Sequence, residues 1–512
     1  MRHTGICICL SLFLTCLMAN GRAVIPIRTQ KDFDSILEKL CKELLSQPDE
    51  IVVDFESGTY YFDDRLLRLD NLAYPGTAIR FIGNNAIITG KGGLYHNGDR
   101  IEFPFDSGTG VVRDTSDVFL WSTVFQAEEK VRVHDSRTRE CSIKCKAIRK
   151  SICPDITSCY LLISEWYRSK LLKVTRIEDG EIYFTADDDL NSLNDDFHYA
   201  RLFPRFKLLN TKSSPCNVID GRLILSSGID SVYVCHGGRL LSAYNARFKS
   251  LSFEGFRFIG NRDNVFALMD FTETITEGIS ICDCEFCGLR SKIIQVAYTP
   301  DFTFKDNFVH NCYQTGVNIV LSSGAKIISN VFRNTGINMS NDFCIACTGN
   351  NYLIANNSIS DFGYGGISVG LHFTSKKTCP LTGTVRDNEL WYTQDYFNNY
   401  PEHTLMDSGA IYVSTQNDRC IIRNNYIHDY IGIHENRGIF LDDGASHVTV
   451  TGNTILRVPN SWSIDSRLAI EVITKPGSQV REANVGVTIY GNRTDGKIRF
   501  ERRRRKIMDT FR

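Results

Sequence analysis

The sequence predicts an all-β protein: a right-handed parallel β-helix with an N-terminal capping helix and a small β-rich inserted domain. Three observations predict it. An Asn closes a short β-rich run and is followed two residues later by an apolar residue, at Asn307, Asn330, Asn357, Asn388, Asn425 and Asn453. The intervals are 23, 27, 31, 37 and 28 residues, the period of a solenoid. Within each interval apolar residues alternate in three short runs, as in strands with one buried face, and helix-length apolar patterns are nearly absent after residue 250.

Each unit supplies three strands. The first follows the Asn, as in "FVHNC" and "YIHDY". The second opens on small or flexible residues: "GVNIV", "FCIAC", "GGISV", "GAIYV", "GIFLD". The third leads to the next Asn: "AKIIS", "NYLIA", "GTVRD", "RCIIR", "HVTVT". Coils built this way stack about 4.8 Å apart with like residues above like. The Asn at the shared bend is expected to take the left-handed backbone region and to bond the Asn above and below. It therefore receives no chemistry. Degenerate copies surround Phe256 and Cys284 upstream and Asn492 downstream.

The remaining elements follow along the chain. "MRHTGICICLSLFLTCLMANGRA" joins a basic start, an apolar core of about 13 residues and small residues at Gly21 and Ala23, the pattern of a secretory signal peptide. That core is too short for a bilayer span. Cleavage near Ala23 and a secreted or periplasmic product are expected, and Thr15 before Cys16 speaks against a lipoprotein. Residues 31–47 read as an amphipathic helix ending before Pro48, suited to cover the open end of the tube. "IVVDF", "TYYFD", "AIRFIG" and "AIITG" form the first coils. From about 118 to 210 the repeat disappears, and it resumes with "NARFKSLSFEGFRFIG". The expected division is 1–23 signal peptide, 24–117 cap and first coils, 118–210 inserted domain, 211–498 main helix and 499–512 basic tail.

Composition narrows the partners. Of 512 residues, 42% are hydrophobic and 23% charged, and the net charge is −1. No overall field points to nucleic acid, and "RFERRRRK" reads as a solvated terminal tail. Three of the 18 cysteines lie in the leader, leaving an odd number. Cys282 and Cys284 would point the same way in a strand and, with Cys287, Cys344 and Cys347, suit core packing. Disulfides are expected instead among Cys141, Cys145, Cys153 and Cys159. A zinc site needs four ligands at recognisable spacing, and none is assigned.

The segments "DSGAIYV" (407–413), "NNYIHDY" (424–430) and "RGIFLDDGASHVTVTGN" (437–453), with the β-rich insertion, carry a likeness. They resemble the β-helix glycoside hydrolases of families 120 and 141 and their relatives in Bacteroides-type gut bacteria. Family 120 contains β-xylosidases and family 141 fucosidases and xylanases, so the resemblance implies carbohydrate hydrolysis without fixing the sugar.

That chemistry needs two carboxyl groups about 5 Å apart for retention or about 6.5–9.5 Å for inversion. Adjacent coils supply such pairs, and the longest coils, between Asn357 and Asn425, bring extra loops to one side. Stacking "AIYV" on "GIFL" and then on "LAIE" aligns Ser414, Asp442 and Glu471 and sets Asp407 beside Glu435. Asp407 and Asp442 then stand over roughly 20 Å apart unless the strand bends at Gly409. Asp407, Asp442 and Asp443 are the catalytic candidates. Asp407 also suits a strand-start cap, and the acid pair before Gly444 suits an Asx turn. Two neighbouring acids also raise one pKa, as a general acid requires. His428, Asp429, Glu435 and Glu471 are candidates for substrate hydrogen bonds. Tyr412 and Trp391 are candidates for sugar stacking.

The expected function is an exported glycoside hydrolase, monomeric and without metal or organic cofactor, acting on a polysaccharide or oligosaccharide. Two rivals stand beside it: a calcium-assisted polysaccharide lyase with Arg437 as its basic residue, and a non-catalytic carbohydrate-binding or adhesive β-helix.

Overall fold

The structure is a computed structural model that describes residues between 21 and 501, apart from internal segments chiefly at 97–101, 105–111, 115–123, 127–131, 145–158, 186–204, 211–215, 226–230, 395–408, 431–436 and 466–485, and residue 443. Asp407, Glu435, Asp443 and Glu471 lie outside the described residues, as do residues 1–20 and 502–512.

Three long parallel sheets, of 11, 11 and 12 strands, form the walls of a tube. They collect the first, second and third strands of successive coils. Register is kept residue for residue. Val309, Phe332, Ile359, Leu390, Ile427 and Ile455 stack in one column of the first-strand sheet, and all six are fully buried. The same alternation runs through the other walls, so the core is one continuous cluster along the tube. Its drive is apolar burial at about 25 cal/mol per Å².

The corner between third and first strands holds the asparagine ladder. The backbone N–H and Nδ2 of Asn307 both donate to Oδ1 of Asn330, each at 3.0 Å, and Nδ2 also donates to the Ile281 carbonyl at 2.9 Å. The pattern repeats through Asn330, Asn357, Asn388, Asn425 and Asn453 to Asn492. One expectation is corrected. The left-handed residue is the one before each ladder Asn: Asp306 (φ 53°), Ser329 (58°), Asn356 (56°), Asp387 (54°), Asn424 (55°) and Gly452 (66°). That residue makes the bend on the outside, whereas the ladder Asn must point inward to meet its neighbours.

The same bend corrects the cysteine reading. Asp283 (φ 52°) separates Cys282 from Cys284, so Cys284 enters the core while Cys282 stays half-buried. Cys284 occupies the ladder column, its N–H donating to Asn307 Oδ1 at 3.0 Å. Cys344 and Cys347 lie in the core, but Cys287 packs outside it against Ile259. Cys141, expected in a disulfide, is a buried free thiol on a strand facing Phe184 and Val133.

At the N-terminal end the helical stretch is two pieces, Gln30–Asp34 and Ile36–Leu44, started by a Thr29–Asp32 capping box. Phe33, Ile36, Leu40 and Leu44 join the core. Among the described residues no helix is long and apolar enough to cross a membrane. The insertion is wider than the interval 118–210. Ile87–Gly90 pairs directly with Arg257–Asn261, and Leu67–Arg68 with Leu241–Tyr244, so the chain leaves the tube after Gly90 and returns before Leu241. Between them the described residues form one seven-stranded and two three-stranded sheets, all antiparallel. Runs such as "SVYV" alternate like coil strands, so periodicity alone does not set them apart.

Candidate functional site

The outer face of the second-strand sheet breaks the rule of apolar inside and polar outside. Phe343, Tyr364 and Phe440 are buried there, and Tyr412 is half-buried. Their rings touch in series: Tyr364 to Phe343 at 5.2 Å, Phe343 to Tyr412 at 5.7 Å and Tyr412 to Phe440 at 5.5 Å between centroids. Glycines make the room. A Cβ on Gly365 would lie 2.5 Å from the Phe343 ring, and one on Gly409 would lie 3.0 Å from Phe440 Cβ. This explains the small residues that open "GGISV" and "GAIYV".

Two charged side chains sit in the same patch. Arg437 is 0% exposed, its guanidinium 4.0 Å above the Phe440 ring. Asp442 is 2% exposed and accepts a hydrogen bond from the Tyr412 hydroxyl. Its position follows from the strand ends. Gly409–Val413 pairs with Arg437–Leu441, Val413 against Leu441, so Asp442 is the first residue past the paired strand. Its N–H donates to the Val413 carbonyl, and its own carbonyl accepts from Ala445 N–H, both at 2.9 Å. The turn expected before Gly444 is thus made by the backbone. Burying charge is costly unless it is compensated, and such sites are where function collects.

The stacking of the next coil is corrected. Leu441 pairs with Ile464, and the strand above Arg437–Leu441 is Asn460–Asp465, not "LAIE". Asp465 therefore follows Asp442 in the register where Glu471 was expected. The indicator was the alternating run "SWSID", which matches a second strand as well as "LAIE" does.

The other candidates occupy the first-strand sheet. Trp391 and His428 are register partners with rings 5.6 Å apart and nearly parallel, and Tyr426 stacks on His428 at 4.2 Å. The His428 ring nitrogens contact Asp429 Oδ2 at 2.7 Å and Glu389 Oε1 at 3.2 Å. Asp429 is left-handed (φ 51°), in a second corner column with Gly288, Asn311, Asn334, Asp361 and Arg457. Arg457 Nη2 reaches Asp429 Oδ2 at 2.6 Å, and this bond holds the Asp429 carboxyl down at about 2. The structure thus brings Asp442 to Tyr412 and leaves His428, Asp429 and Trp391 together on the neighbouring wall. Reasoning from sequence missed Phe343, Tyr364 and Phe440 as part of the patch. Among the described residues no group of three or more His, Cys, Asp or Glu is placed to hold a metal ion.

Comparison with known proteins bears on the fold. Residues 292–500 match the family profile of the right-handed β-helix region. The tube is a right-handed β-helix. A solved structure described as a glycoside hydrolase is 11% identical, with 93% of this chain and 96% of that chain covered at a TM-score of 0.55. At that identity the likeness establishes shared architecture. The catalytic domain of a GH87 α-1,3-glucanase in complex with nigerose is 11% identical over 80% of this chain and 91% of that one, at a TM-score of 0.24. No curated protein matches the chain in sequence.

Proposed function

We propose that this β-helix is an exported glycoside hydrolase acting on a polysaccharide or oligosaccharide, with Asp442 as one of its two carboxyl groups. The observation that carries the reading is the patch on the second-strand wall: a buried acid and a buried arginine among four aromatic rings. Apolar surroundings with a few convergent polar groups are what a sugar site requires. The Tyr412 hydroxyl orients the Asp442 carboxyl, and the half-buried Tyr412 ring offers an apolar face beside it.

The second carboxyl group comes from Asp443, adjacent in sequence, or Asp465, next in register. Backbone register favours Asp465, which stands one coil from Asp442, with neighbouring coils about 4.8 Å apart. Export is supported by the leader's basic start and apolar run.

The test is Asp442→Asn, assayed for hydrolysis across a panel of nitrophenyl glycosides and for oligosaccharide affinity. Lost turnover with binding retained supports the hydrolase. Wild-type turnover in the variant overturns it, and an unchanged affinity in a chain with no turnover to lose identifies the binding protein instead.

A further inference from the structure

A second constellation lies several coils away on the outer face of the first-strand sheet, and the proposed hydrolysis does not use it. Cys287, His310 and Glu285 occupy neighbouring coils, Cys287 in register with His310. Cys287 Sγ is 3.5 Å from His310 Nδ1, and His310 Nε2 is 2.9 Å from Glu285 Oε1. Arg257 Nε donates to Glu285 Oε2 at 2.6 Å.

The surrounding bonds fix the imidazole tautomer. Asn334 Nδ2 donates to Asn311 Oδ1 at 2.8 Å, which turns the Asn311 amide nitrogen toward His310 Nδ1 at 3.4 Å. Nδ1 thus accepts from Asn311 and from the thiol, and Nε2 carries the proton given to the Glu285 carboxylate. A lone pair faces the sulfur, and an anion waits on the far side for the imidazolium. That is the arrangement of an activated nucleophile, with its base and the group that orients the base. Phe308 stacks on the His310 ring at 4.2 Å and limits its rotation. Several other cysteines are differently placed. Burial pushes the Cys284 thiol up to about 12, and burial also raises Cys344 and Cys347.

We propose that Cys287 is an activated thiol, made nucleophilic by the His310–Glu285 pair, that reacts with a small peroxide. The thiol proton passes to His310 Nδ1, and the thiolate sulfur attacks one peroxide oxygen. The O–O bond breaks, and the sulfur is oxidised to a sulfenic acid. The departing oxygen takes the proton back from Nδ1 and leaves as water, or as an alcohol from an alkyl peroxide. Cys287 is fully buried against Ile259, while the His310 and Glu285 side chains are 14% and 23% exposed. A reactant must reach the thiol past these part-exposed side chains, so only a small one qualifies.

The reduced full-length protein is exposed to hydrogen peroxide at neutral pH with dimedone present, and each cysteine is followed by peptide mass spectrometry. The expected result is trapping at Cys287 at least about tenfold faster than at half-buried Cys282 or Cys379. His310→Phe and Glu285→Gln each slow Cys287, and core Cys344 stays silent as the sign of an intact fold. Cys287 no faster than Cys282 in the wild-type protein overturns the proposal, as does a fast Cys287 that both folded variants leave unchanged. If His310→Phe unmasks Cys344, Glu285→Gln and the wild-type comparison decide.

Discussion

The asparagine corner and the second-strand face both bury polar groups, but by opposite means. At the corner each amide has the same partner one coil above and one below, so burial is solved once and repeated from Asn307 to Asn492. On the second-strand face Arg437 and Tyr412 have no like residue above or below: the column through Tyr412 runs Asp270, Gln295, Asn318, Ala346, Ser368, Tyr412, Phe440. Repetition marks a polar residue as architecture. Departure from repetition, at the cost of burying charge, marks a place where something other than the fold was selected.

The largest effects should separate the two regions by what is lost. Asp442→Asn keeps an acceptor for Tyr412 and removes the charge. Turnover should fall about 10³-fold, roughly 4 kcal/mol of transition-state stabilisation, with the thermal midpoint little changed; steady-state kinetics beside a melting curve reads both. Asn357→Ala should do the reverse. It strips the acceptor from Asn330 N–H and Nδ2 inside the tube, and unsatisfied buried groups cost about 1–3 kcal/mol each. A loss near 3 kcal/mol by urea titration is expected, with activity per folded molecule retained. A loss below about 0.5 kcal/mol would mean the ladder is ornamental.

Smaller changes sharpen the contrast. Gly365→Ala drives a methyl group into the Phe343 ring and the Gly409 carbonyl, so about 1–3 kcal/mol of overpacking should appear in denaturation. Substrate affinity should weaken alongside if the aromatic wall lines the site. The smallest effect belongs to the exposed corner pair. Asp429 has its pKa lowered to about 2 by Arg457, so the pair stabilises the fold above the unfolded carboxyl value near 3.9 and loses that contribution as pH falls toward 2. Arg457→Ala should flatten this part of the stability–pH curve. Because both side chains are more than a third exposed or close to it, the change at neutral pH should stay under about 1 kcal/mol.

What was legible in the chain follows the same division. The three strands of each coil, their order and the ladder asparagines were readable because each recurs, and a recurring signal survives noise in any one copy. Details that depend on a single bend were not. Whether Asp306 or Asn307 takes the left-handed conformation cannot be told from "KDNFV", since both residues tolerate it. Cys282 and Cys284 diverge for the same reason. Beyond the last clear repeat, "SWSID" and "LAIE" competed as the strand above Arg437, and hydrogen-bond register chose the former. The insertion's edges were blurred because its antiparallel strands share the two-residue period of the coils.

By itself the sequence determined the architecture: a spacing of 23 to 37 residues, apolar alternation and a recurring Asn allow a parallel tube and little else, because each feature satisfies the same stacking requirement in every coil. Which acids matter was decided by tertiary structure alone. Asp429 and Asp442 are both acids just past a strand end, yet one ties to Arg457 at an exposed corner and the other lies buried against Tyr412. That difference comes from residues on neighbouring coils, 28 and 30 positions away in the chain, and only the folded register brings them within reach.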